Sequence, residues 1–274
     1  MTRSPLVLMN DWVSAMPPRA LVETALREGY DGVELWLPSE SSARRELVAV
    51  IDETGAPVSL LVGSVESDPE AHRRALALQL DAIGAEGIAP LHITLHAGRD
   101  HWRERDLDAL AGWIVAERER TGMDILVETH RARMLPSAHS SARLLERHPG
   151  LRLTLDVSHW MVSAESLLQD QPEAMALAVN RADHIHARFG HAQSPQIDDP
   201  RSPRWAPAVE AQWGWWDLVV DRLRSEGRRP TFLAEFGPSD YATPDPRTGL
   251  PLGDPAALNR WITGQIRARY ASDE

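Results

Sequence analysis

The sequence predicts a single (β/α)8 barrel, and three observations carry the prediction. Eight short apolar runs alternate with eight longer helical periods, the pattern of a parallel α/β protein. At 274 residues the chain is the right length for one closed barrel. The last four apolar runs each end on a side chain able to bind a metal, Glu128, Asp156, His186 and Glu235. In a parallel barrel such strand ends converge on one face.

The strands are expected near residues 6–10, 32–37, 57–62, 91–96, 124–128, 152–156, 184–188 and 231–236. Each is short and mostly apolar, as suits a strand covered on both faces. The first helix, 17–28, opens on Pro17 and Pro18, which fit a first turn. The second, 42–54, runs into Gly55, a natural cap. The third, 68–83, opens Asp68-Pro69-Glu70 and spaces Ala75, Leu76, Leu80 and Ile83 on one face. Further helices are expected at 105–120, 137–147, 164–180, 212–226 and 254–270. An open doubly wound sheet competes, but no strand is followed by a Gly-x-Gly-x-x-Gly turn. No solenoid repeat, low-complexity tract or linker divides the chain, so residues 1–274 are expected to form one domain.

One connection departs from the pattern. Residues 189–211 are rich in proline and show neither period, and they are far longer than a usual strand-to-helix connection. Following the seventh strand, they belong on the active face, and a lid is the preferred reading over a passive excursion or an oligomer contact. Gln193, Gln196, Asp198 and Asp199 offer hydrogen bonds to sugar hydroxyls, and Trp205 offers a flat apolar face. A second proline-rich stretch, 237–255, is expected to rim the same mouth.

Composition narrows the function. Lys plus Arg is 29 and Asp plus Glu is 40, a formal net charge of −11, which disfavours nucleic acid and other polyanions. No apolar run approaches 18 residues and the N-terminus lacks a signal-peptide pattern, so no membrane span is expected. The absence of cysteine removes disulfides and thiolate metal sites and is compatible with a cytoplasmic location.

Three carboxylates and one imidazole suit a hard or borderline divalent ion. Each has a bland alternative: Glu128 could pair with Arg131, Asp156 could cap the next helix, and His186 could be a satisfied core histidine. Alternation sends His184, His186 and Arg188 to one side of their strand, a polar row that favours function. A carboxylate at Glu235, between apolar neighbours, would be costly to bury without a cation.

Several stretches carry a resemblance: Asp31-Gly32-Val33-Glu34, Leu95-His96-Ala97-Gly98, Val127-Glu128-Thr129-His130, Leu155-Asp156-Val157-Ser158-His159, His184-Ile185-His186-Ala187-Arg188 and Leu233-Ala234-Glu235. Through them the chain resembles the sugar isomerase/epimerase superfamily with the xylose isomerase-like TIM barrel. That superfamily includes ketose 3-epimerases, hydroxypyruvate isomerase, inosose dehydratase and, more distantly, endonuclease IV. The resemblance implies that Glu128, Asp156, His186 and Glu235 hold one divalent ion, Mn²⁺ first, with Mg²⁺, Co²⁺ and Zn²⁺ as alternatives. It further implies that Glu128 and Glu235 move protons on opposite faces of the substrate and that His159 contacts substrate oxygens. Arg188, Glu34 and His96 are expected to line the pocket, His96 equally as a hydrogen-bonding support.

The residue types fit the chemistry. Moving hydrogen next to a carbonyl needs a base and a charge to hold the resulting enediolate. Return of the proton from the other face gives epimerisation; return to the neighbouring carbon gives isomerisation. Loss of a β-hydroxyl gives elimination, the lyase alternative. An endonuclease IV-like phosphodiesterase and a non-catalytic binding barrel are weaker alternatives. The expected partner is a small unphosphorylated carbohydrate or polyol, with self-association left open.

Overall fold

Pairing follows chain order around the sheet, and the first strand returns to the eighth, so no edge remains. The computed structural model describes residues 4–12, 16–238 and 240–271. The strands are β1 (Leu6–Asn10), β2 (Gly32–Trp36), β3 (Val58–Gly63), β4 (Ile93–His96), β5 (Ile125–Glu128), β6 (Leu153–Leu155), β7 (Ala182–Ala187) and β8 (Thr231–Ala234). All pair in parallel. The surrounding helices are α1 (Pro18–Arg27), α2 (Ser41–Thr54), α3 (Pro69–Ala85), α4 (Glu104–Thr121), α5 (Ala138–Arg147), α6 (Val157–Ala164), α7 (Pro172–Arg181), α8 (Ala206–Ser225) and α9 (Pro255–Arg269).

The two faces of each strand do different work. Residues such as Val33, Leu60, Leu95, Val127 and Phe232 point outward into one apolar cluster with the helices. Their neighbours point into the barrel, where Leu8, Leu61, Leu126 and Leu233 are buried outside that cluster. Each such leucine contributes about 1.5–3 kcal/mol relative to exposure. The rest of the interior is polar: Glu34, Ser59, His92, Thr94, Thr154 and His184 are all buried. An unpaired buried polar group costs a comparable amount, so these must find partners. Thr94 and Thr154 do so across the barrel, hydroxyl to hydroxyl at 2.9 Å.

Glycine is required at two points, one at each end of the barrel. A Cβ on Gly32 would lie 1.9 Å from the Pro57 carbonyl oxygen, so the opening of β2 admits no side chain. Gly98, just beyond β4, has φ +67, and its N–H donates to His72 Nε2 at 3.0 Å.

Two expectations need correction. The single helix expected at 164–180 is two. Asp156 caps α6 by accepting from the Ser158 N–H, Glu165 ends α6 at φ 49, and α7 restarts at Pro172. The connection expected over 189–211 is shorter, because α8 begins at Ala206 after a 3-10 turn at Pro203–Trp205. Pro207 sits in the first turn of α8, where its missing N–H leaves no bond unmade.

The irregular part, 188–202, is pinned at the C-terminal end of the barrel. Gln212 accepts from the Gly190 N–H and donates to the Arg188 carbonyl, and Gln196 makes the same pair of bonds with the backbone of Gly237.

Candidate metal centre

The centre is assembled from the ends of β5, β7 and β8. Glu128 is the last residue of β5, His186 lies one residue before the end of β7, and Glu235 follows β8, its N–H donating to the Ala187 carbonyl at 3.2 Å. His186 Nδ1 is 3.4 Å from Glu128 Oε1 and 3.3 Å from Glu235 Oε1. All three side chains are at most 1% exposed. One ligand atom from each lies within 4.8 Å of the others.

Glu34, on β2, fixes the tautomer of His186. His186 Nε2 is 3.0 Å from Glu34 Oε1, and a carboxylate held ionised can only accept, so Nε2 carries the hydrogen. In the neutral ring, Nδ1 is then a lone pair aimed at two carboxylates. Nδ1 and Glu235 Oε2 have no hydrogen-bond partner. Such an arrangement calls for a cation, and without a metal the proton takes that place. Burial opposes the charge, yet Glu235, Glu34 and Glu128 together hold His186 well above the ordinary imidazole range. Glu128 likewise sits well below the usual carboxylate range: burial raises it, but His96 and His186 outweigh burial. His96 Nε2 lies against Glu128 Oε2.

Beneath His186 lies a deeper set. Glu34 Oε2 is 3.0 Å from His184 Nε2 and 3.3 Å from His92 Nε2. His184 Nδ1 meets Thr231 Oγ1 at 2.7 Å, and His92 Nδ1 meets Ser59 Oγ at 3.3 Å. Burial raises the Glu34 carboxyl, but His186 and His184 bring it well below its usual range. His184 is pushed down to about 3 by burial and by His92, so it is neutral.

Asp156 is placed differently from the other expected ligands. Its Oδ1 accepts from the Ser158 N–H at 2.8 Å and the Ser158 hydroxyl at 2.6 Å, and its Oδ2 accepts from Arg188 Nη2. Burial pushes its carboxyl up to about 6 against the pull of Arg188, so at neutral pH the ion pair stands. Arg188 is itself fully buried, 4.5 Å from the ring centre of Tyr241 and 5.9 Å from that of Trp12.

His130 and His159 form a third grouping with Glu128. Their lone pairs are already used. Arg188 Nη2 donates to His159 Nε2 at 3.1 Å, since a guanidinium cannot accept, and the Ala132 N–H donates to His130 Nδ1 at 3.3 Å. Both rings are neutral: burial brings His130 down to about 4 and holds His159 well below its usual range. Each therefore presents an N–H, not a ligand lone pair, from its other nitrogen.

Of the expected site residues, the structure thus brings together Glu128, His186 and Glu235, with Glu34 and His96 against them. Asp156, Arg188 and His159 form an adjoining group. Gln193 is exposed, Gln196 is spent on Gly237, and Trp205 packs tilted against His191, their ring centres 4.5 Å apart. Among the described residues, no hydrogen bond or ring contact joins these three to the carboxylate–imidazole centre. Arg131, the bland partner for Glu128, lies instead over Tyr241 at 5.7 Å. The stretch after β8 does rim the mouth, through Tyr241. His92, Ser158, Trp12 and Tyr241 had not been singled out. For His92 the signal was there: residues 92, 94 and 96 alternate onto one side.

Among the described residues, no helix is long and apolar enough to cross a membrane. The sequence model of the xylose isomerase-like TIM barrel family matches residues 22–247. No curated protein matches the sequence. Solved structures do match in fold. A D-tagatose 3-epimerase-like protein is 11% identical with a TM-score of 0.65, over 97% of this chain and 98% of its own. The 3-keto-D-glucoside 4-epimerase of E. coli, in its apo form, is 15% identical with a TM-score of 0.62, over 97% of this chain and 100% of its own. A xylose isomerase-like TIM barrel protein of Mycobacterium smegmatis in complex with magnesium is 13% identical with a TM-score of 0.60, over 98% of each chain.

Proposed function

Because the chain belongs to the xylose isomerase-like TIM barrel family, we propose that it is a divalent-metal-dependent isomerase or epimerase of a small sugar, keto-sugar or polyol. The observation that carries the reading is the His186 lone pair, aimed at two buried carboxylates with its other nitrogen held by Glu34. A metal-ligating histidine commonly donates its second N–H to a carboxylate in this way. Glu128, His186 and Glu235 would hold the ion. When bound, it supplies the positive charge that a developing enediolate needs.

The chain's own residues supply the rest. Glu128 and Glu235 come from strands on either side of His186 and flank one position, so one removes the proton beside the carbonyl and the other returns it. His96, against Glu128, orients that carboxylate. Trp12 and Tyr241 provide apolar ring faces beside the group and exclude water from Arg188.

The test is twofold. Purified protein should bind about one divalent ion per chain, and chelation should abolish turnover. Incubation of metal-loaded enzyme with ketose sugars in D₂O should place deuterium at the carbon next to the carbonyl. A protein that turns over a sugar equally well after complete removal of metal would overturn the proposal. Loss of water from the substrate instead of isomerisation would assign the same centre to a lyase.

A further inference from the structure

The four strand-end groups divide sharply by what they already bind. Glu128, His186 and Glu235 each offer a ligand atom within 4.8 Å of the other two, and His186 Nδ1 and Glu235 Oε2 are buried without hydrogen-bond partners. Asp156 has both oxygens engaged, Oδ1 by the Ser158 N–H and hydroxyl and Oδ2 by Arg188. Among the four, Asp156 alone stands outside that group, with both oxygens held by other donors. We infer that the metal centre of this chain uses three protein ligands, and that Asp156 is a positioning residue for Arg188 rather than the fourth ligand. The inference rests on the metal reading above and refines it.

Arg188 is held on every side but one. Nη2 bonds Asp156 and His159, and Nη2 and Nε both lie 3.4 Å from the Ser158 hydroxyl. Tyr241 and Trp12 cover its plane. Nη1 has no hydrogen-bond partner and lies 3.9 Å from Glu235 Oε1, beside the metal ligands. His159 accepts at Nε2, so its Nδ1 carries hydrogen, and that buried N–H is also unpartnered. Two fixed donors therefore stand unused next to the centre. They suit the oxygens of a bound keto-sugar, and they gain strength as negative charge develops there. A carboxylate that turned away from Arg188 to ligate an ion would leave a buried guanidinium unpaired, a costly exchange.

Manganese binding separates the roles without reference to activity. The free Mn²⁺ signal in electron paramagnetic resonance gives the affinity of each folded variant. Glu235→Gln should weaken binding by at least about 10²-fold, while Asp156→Asn should change it by less than about 3-fold, since it touches no ligand atom. In the Mg²⁺-loaded wild type, ¹⁵N shifts should show His159 with hydrogen on Nδ1, and Asp156→Asn should disturb that signature. Asp156→Asn losing manganese as severely as Glu235→Gln would overturn the inference, as would a His159 carrying hydrogen on Nε2. Unaltered manganese affinity in Glu235→Gln would instead remove the three-ligand site itself. If Asp156→Asn does not fold, Arg188→Lys carries the test. Manganese affinity should stay within about 3-fold, because the replaced cation still holds Asp156. A tenfold rise would show that Arg188 had been withholding a ligand.

Discussion

Nε2 of His186 lies 3.0 Å from Oε1 of Glu34, a bond that joins the second strand to the seventh across the barrel interior. Through it, a buried carboxylate on the second strand decides which nitrogen of the imidazole faces the two glutamates. Glu34→Gln keeps the volume but can offer an N–H where an acceptor is needed. Divalent-ion affinity should fall by about 10–100-fold, the range for losing such a support. Isothermal titration with Mn²⁺ measures it; an unchanged affinity would show that His186 is oriented by other means.

Glu128→Gln and Glu235→Gln keep shape and remove the basic oxygen. Turnover should drop by at least about 10²-fold in each, the lower scale for general acid–base catalysis. Both side chains are also proposed ligands, so rates must be compared at equal measured occupancy. Fully metallated variants with near-normal turnover would take both glutamates out of the proton transfer.

Stability in acid should report on Asp183, at the opposite end of β7 from His186. Arg152 reaches it at 2.7 and 2.5 Å, and Arg228 at 2.5 Å. Burial raises its carboxyl, but the two arginines outweigh burial and bring it down to about 2. The folded value lies below the unfolded one, so the stabilisation is complete above about pH 4 and is lost as pH falls through about 2. Allowing for solvent screening it amounts to about 1–2 kcal/mol. Asp183→Asn should show a lower urea midpoint at pH 7 and a smaller decline between pH 4 and 2 than wild type. Parallel acid profiles would contradict this.

Gln196 clasps Gly237 with both ends of its amide. Gln196→Leu leaves the Gly237 N–H and carbonyl without those partners, at about 1–3 kcal/mol if they stay buried. Thermal midpoint should fall, and limited proteolysis should begin to cut within 188–202. Wild-type resistance to protease would mean that Gln212 alone suffices to hold the segment.

The barrel was legible because its signals are local. Strand ends were placed within a residue or two, and Glu128, His186 and Glu235 announced themselves as polar groups closing apolar runs. Helix α6 was not, because eight residues supply barely two turns of period and its cap, Asp156, doubled as a candidate ligand. The start of α8 was hidden by Pro207, which marks a first turn as readily as a loop. The partners of Glu34 and Arg188 lie 58, 152 and 32 residues away in the chain, at His92, His186 and Asp156. Such pairings follow from closure of the sheet, and spacing along one strand carries no record of them.

The polar column inside the barrel makes its two ends mechanically dependent. From Glu235 and Glu128 it descends through His186, Glu34 and His184 to Thr231, whose hydroxyl meets the Asp183 carbonyl at 3.4 Å. An aliphatic interior would tolerate small sliding of one strand past the next; directional bonds do not. Efforts to harden this protein by redesigning its base, around Asp183 and its arginines, would therefore be felt at the mouth, as drift in the ring of His186. Safer ground lies on the outward faces of the strands, where the contacts with the helices are apolar and carry no direction.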